Sequence, residues 1–144
     1  MTTHGVQMHR VRYGIYRETA LSYEEAVRRT VDELKSEGFG VLTEIDVRET
    51  LRKKLDVDFP RYVILGACNP PFAHRALTAE PDIGLLLPCN VVVHEDPSGR
   101  AGVSALRPTE VFGRLVDNPA MSRLAQEVEE RLVRALDRVA ASQA

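Results

Sequence analysis

The sequence predicts an α+β fold, a two-layer sandwich in which a mixed, mostly antiparallel sheet carries helices mainly on one face. Three observations predict it. Segments of strand and helix periodicity follow one another in the order β-α-β-α-β-α-β-β-α-α. The early strands alternate apolar and polar residues, the pattern of a sheet with one solvated face. The turn Asp96-Pro97-Ser98-Gly99 joins two apolar runs into a hairpin, which argues against a doubly wound sheet.

Each element has its own signal. Val11, Tyr13 and Ile15 alternate with polar residues, which predicts a half-buried strand beginning near Arg10. Ser22-Tyr23-Glu24-Glu25 is a capping-box pattern, and Ala26, Val27, Thr30, Val31 and Leu34 follow at helical spacing until Gly38 stops the helix. Phe39, Val41, Thr43 and Ile45 alternate as a second strand. Asp46 and Glu49 then open a short amphipathic helix carrying Val47, Leu51 and Leu55. The apolar run Tyr62–Ala67 reads as a central strand covered on both faces. Asn69 and Pro70 suit the cap and first turn of a third helix, whose inner face is Phe72, Ala73, Ala76 and Leu77 and which Pro81 closes. Gly84–Leu87 and Val91–Val93 read as a strand pair or one strand bent at Pro88, and Val103–Leu106 returns as a strand. A short helix follows over Pro108–Leu115. Met121, Leu124, Ala125, Val128, Leu132, Leu136 and Val139 then mark a long final helix.

The length of 144 residues suits one domain, taken as residues 11–140 behind a frayed segment, 1–10. A net charge of −2 with interspersed signs lacks the clustered basic face of a nucleic-acid binder. No apolar run reaches the roughly 20 residues of a membrane helix. Met1–Arg10 has no signal-peptide core, so the expected compartment is the cytoplasm. Two cysteines there are expected to be thiols rather than a staple.

Chemistry concentrates in two similar strings, Ala67-Cys68-Asn69 and Pro88-Cys89-Asn90. The first delivers a cysteine from a strand to the start of a helix, whose partial positive charge favours a thiolate or an anion. The second follows a proline in an apolar run, a mark of a bulge, break or edge. If their strands are neighbours, Cys68, Asn69, Cys89 and Asn90 converge, and His74, about one and a half turns on, can act as base or ligand. The bland alternative makes Cys68 a small apolar filler and Asn90 a satisfier of loose backbone groups. His4, His9 and His94 are scattered and carry little weight. Two cysteines and one histidine match no standard zinc spacing, so no metal or other cofactor is expected. Glycine-rich phosphate loops and the serine-hydrolase elbow are absent.

Gly66-Ala67-Cys68-Asn69-Pro70-Pro71, followed by Ala73-His74 and Ala76-Leu77, and then Ile83–Val93, resemble a bacterial and archaeal family known as domain of unknown function 302. Gly38–Val47 and the Leu55–Tyr62 stretch are similar to the same family. The likeness covers roughly Tyr13 to Leu136. It implies a two-layer α+β fold and a homodimer, and it implies no activity or catalytic residue. The expected function is therefore a small-ligand-binding or thiol-dependent module built around Cys68, Asn69, His74, Cys89 and Asn90, taking a small anion, a sulfur species or a soft metal ion. The alternatives are a homodimeric interaction module without small-molecule chemistry and, further behind, a small enzyme with Cys68 as nucleophile and His74 as base.

Overall fold

A computed structural model describes residues 5–143. It holds five strands, β1 (Gly14–Glu18), β2 (Gly40–Asp46), β3 (Tyr62–Cys68), β4 (Cys89–Glu95) and β5 (Ala101–Leu106), and five α-helices. These are α1 (Tyr23–Ser36), α2 (Val47–Leu55), α3 (Pro70–Ala79), α4 (Pro108–Leu115) and α5 (Pro119–Ala141). The expected element order is the observed one, with a 3₁₀ helix, Pro81–Leu86, added between α3 and β4.

The strands line up as β1-β5-β4-β3-β2, and each neighbouring pair is antiparallel, so the sheet is wholly antiparallel rather than mixed. Period-two alternation sends Val63, Leu65 and Ala67, Cys89, Val91 and Val93, and Ala101, Val103 and Ala105 to one face, where all are buried. There they meet α1, through Ala26, Thr30 and Leu34, and α5, through a stripe from Met121 to Val139. At roughly 1.5–3 kcal/mol for each fully buried large aliphatic side chain, this shared layer is the main source of stability. α2 buries no residue and lies beside β2 and β3. No helix among the described residues is long and apolar enough to cross a membrane.

Side chains cap the starts of three helices, two of them, Ser22 and Asp46, where the sequence signals place a cap. Ser22 Oγ accepts from the Glu25 N–H at 3.2 Å, Asp46 Oδ1 from Glu49 at 3.0 Å, and Asn118 Oδ1 from Ala120 at 3.1 Å. Gly38 adopts φ +88° just beyond α1, a left-handed position that glycine occupies without a Cβ penalty. Beside it Glu37 ties three helices together. Its carboxylate, 9% exposed, binds Arg134 at 3.0 Å and also Arg138, both on α5. Its carbonyl accepts from Arg131 at 3.3 Å and from Asn69 Nδ2 at 3.2 Å. Arg134 above all, then Arg138, holds the Glu37 carboxyl below its ordinary range against the opposing effect of burial.

Three expectations need correction. β1 begins at Gly14, because Val11 closes a turn by accepting from the Gly14 N–H at 3.2 Å. Gly84–Leu87 is not a strand: Ile83 is buried while Leu85 is 88% exposed, and the segment through Leu86 coils as a 3₁₀ helix. The following Leu87–Pro88 peptide is cis, and Pro88 has no N–H for a ladder, so β4 starts at Cys89. β3 is an interior strand, but β4 occupies the centre of the sheet. Of the segment expected to fray, residues 1–4, His4 included, lie outside the described residues; within the rest, the Val6 N–H donates to the Glu95 carbonyl at 2.8 Å.

Candidate functional site

β3 and β4 are neighbours, and their register sets Ala67 opposite Cys89, one residue from Cys68. The cysteines thus reach the same end of the sheet on adjacent strands. A cavity of about 340 Å³ opens there between the sheet, α3, the 3₁₀ helix and the first half of α5. Cys68, half-buried, and Cys89, buried, both line it. Its interior is hydrocarbon: Phe39, Ala67, Ala76, Ile83, Phe112 and Met121, with further α5 side chains behind them. Exposed Leu42 and Leu77 flank its mouth. Leu42 stands there because β2 carries a bulge between Val41 and Thr43, an extra residue that turns this side chain out of the ladder.

The electrostatics of this space are those of a neutral site. Burial first, and the neighbouring Cys68 second, push the Cys89 thiol up to about 12, so at neutral pH it is a protonated, weakly polar group. No Lys, Arg, Asp or Glu lines the cavity. The start of α3 adds little for an anion, since Pro70 and Pro71 occupy its first two positions and remove two of its free N–H donors. Arg75 on α3 is not free for an anion either: it pairs with Glu127 at 3.2 Å and lies over the Phe72 ring, 5.5 Å from its centroid.

The five sequence-derived residues divide. Cys68, Asn69 and Cys89 line the cavity. Asn69 precedes α3, yet its side chain does not cap that helix and turns instead to the Glu37 carbonyl. His74 is exposed on α3, away from the face carrying Phe72, Ala73 and Ala76 into the cavity. Asn90 lies on the opposite face of the sheet, because one residue along a strand reverses the side. The proposed convergence of two asparagine amides and an imidazole on the sulfurs is therefore absent. Among the described residues no group of three or more His, Cys, Asp or Glu could hold a metal ion, which leaves the two sulfurs without a further ligand. The apolar walls were read from sequence only as helix and strand interiors. Periodicity identifies an inward side chain but not whether another atom meets it there.

The model of the family described as domain of unknown function DUF302 matches residues 15–139. The fold is similar to the crystal structure of an uncharacterized conserved protein DUF302 from Bacillus stearothermophilus, with a TM-score of 0.82 and 34% sequence identity over 89% of this chain and 98% of that one. Among curated proteins none matches.

Proposed function

Because the chain belongs to the DUF302 family, whose name assigns no activity, we propose its function from the site itself: the protein binds a small, uncharged, apolar molecule in the cavity beside Cys68 and Cys89. The observation that carries this reading is the hydrocarbon-lined space of about 340 Å³ reaching from the surface into the core. Ligand sites commonly have volumes of about 300–1,000 Å³, mostly apolar walls and a few polar groups. Apolar cavities of roughly 150 Å³ take up benzene, so this one suits a ligand about twice that size.

Four residues bring polar atoms to the lining, Thr43, Cys68, Asn69 and Cys89, and none of them is charged at neutral pH. Protonated Cys89 is a weak donor and a soft, polarizable contact, suited to an unsaturated or sulfur-containing hydrocarbon better than to an ion. The same chemistry weighs against a small anion, a metal ion and a thiolate nucleophile at Cys89.

Titration with the neutral dye N-phenyl-1-naphthylamine tests the reading. The expected result is a saturable, one-to-one rise in emission that Ala76→Leu abolishes. Non-saturable emission, or emission unchanged by Ala76→Leu, would overturn it.

A further inference from the structure

The opposite face of the sheet holds a second site that does not depend on the first. Its base is an aromatic layer. Tyr62 on β3, His94 on β4 and Gly102 on β5 share one row of the register. Gly102 has no side chain to keep its neighbours apart: a Cβ there would stand 2.5 Å from His94 Cε1 and 3.1 Å from Tyr16 Cε1. Tyr16 on β1 therefore reaches across β5 to His94, with ring centroids 6.1 Å apart, and Tyr62 meets the same imidazole at 6.4 Å. His94 is itself fully buried, so its part is to hold the two tyrosines in place. Beside the tyrosines a cavity of about 360 Å³ opens between the sheet and residues 7–13 of the N-terminal segment. Val92, Ala105 and Leu106 add an aliphatic floor, and no Lys, Arg, Asp or Glu among the described residues lines it.

One polar side chain is out of keeping with that floor. Asn90 lies on β4, an interior strand, two residues before Val92 and on the same face. Asparagine is among the residues least favoured in strands. The other two asparagines of the chain bond to the protein itself, Asn69 to the Glu37 carbonyl and Asn118 to the start of α5. The Asn90 side chain bonds to no described residue, so it is not the satisfier of loose backbone groups that the sequence allowed. It is exposed and lines the cavity, which leaves its carbonyl and N–H groups open to an occupant. Burial raises the titration of Tyr16 and Tyr62, keeping both hydroxyls neutral, and their rings offer flat apolar surface.

We propose that this cavity binds a neutral, planar nitrogen heterocycle whose edge carries a donor and an acceptor side by side, as a lactam does, with that edge paired to the Asn90 amide and the ring packed on Tyr62, Val92 and Leu106. A carboxamide presents the complementary acceptor and donor at matching spacing, the two-bond pairing that asparagine makes with such edges elsewhere. Apolar walls with one or two placed polar groups are the usual make-up of a small-molecule site. The ligand differs from that of the thiol-lined cavity in needing a polar edge, and the two cavities lie on opposite faces of the sheet.

The test is an NMR titration of the full chain with 2-quinolone, followed at the Asn90 side-chain N–H groups and at the Tyr62 and Val92 amides. The expected result is saturable shifts at all three, with 1-methyl-2-quinolone, which lacks the donor, binding about tenfold more weakly. Asn90→Leu should erase that difference while both probes still bind. The spectrum of the variant reports whether it is folded, and the comparison of the two probes on the unaltered chain stands without it. Equal affinities for the two probes, or a tenfold difference that survives Asn90→Leu, would overturn the proposal. So would shifts at Ala67 and Ala76 in place of Asn90, which would put the probe in the thiol-lined cavity, or shifts that grow with protein concentration alone, which would assign the face to a second copy of the chain.

Discussion

Ala76→Leu asks whether the thiol-lined cavity is real space. Ala76 is the one buried residue of α3, 5% exposed, and it lines the cavity. The substitution adds three carbon atoms, worth about 0.8 kcal/mol each when they leave water for a hydrocarbon site, or roughly 2.4 kcal/mol. Leucine gives back a few tenths of a kcal/mol in helix propensity relative to alanine, which leaves a net gain of about 2 kcal/mol. For a chain of this length that corresponds to a melting temperature higher by about 4–8 °C. The assay is urea and thermal unfolding of both proteins followed by circular dichroism, with the urea slope checked for equality so that the midpoint reports stability alone. A loss of about 1–3 kcal/mol, the usual result of overfilling a packed core, would refute the reasoning by showing that no space is present.

Four other outcomes follow from the geometry. Cys89, buried and with its thiol pushed up to about 12, should resist iodoacetamide in the folded protein and react once urea unfolds it; mass spectrometry showing Cys89 labelled at the rate of an unfolded chain would contradict its placement. Glu37→Gln should cost about 1–3 kcal/mol through loss of charged hydrogen bonds to α5. The Glu37 carboxyl is held low in the folded state, so its contribution is complete above the ordinary value of 4.5 and disappears as pH falls through the folded value; an acid-unfolding midpoint that is the same in wild type and Glu37→Gln would contradict this. Burial lowers the His94 pKa, with Asp96 opposing, so the unfolded chain takes up the proton first and stability should decline as pH falls below about 6.5. Gly102→Ala should displace the His94 ring at a cost of about 1–3 kcal/mol, and a fully stable Gly102→Ala protein would show that the ring has room to move.

The fold was legible because its signals are local. Ser22 and Asp46 each stand three residues from the N–H they accept, so sequence spacing alone reveals them. The run Gly84–Leu87 misled because four apolar or small residues in a row have no period, and a helix and a strand then look alike. The site was only partly legible. Similar tripeptides brought Cys68 and Cys89 to one cavity, but the reversal of side at each strand residue separated Asn90 from them. His94 carried no weight in the sequence because its burial comes from Tyr16 on β1 and Tyr62 on β3, far along the chain. The family resemblance and the α+β class stand, whereas dimer formation and the compartment rest on sequence expectation alone.

The bulge at Leu42 has a consequence for how molecules of this protein behave in a crowd. β2 is the outermost strand on its side, and its free rim of amides and carbonyls is a template on which any stray extended peptide could lengthen the sheet. One surplus residue in the middle of that rim puts the two halves out of step, so an incoming strand that matches Gly40 and Val41 meets Thr43 and Glu44 out of phase. Glu44 and Asp46 add negative charge along the mismatched half. The irregularity that sets Leu42 at the mouth of the cavity thereby also guards the chain against uncontrolled fibre-like growth.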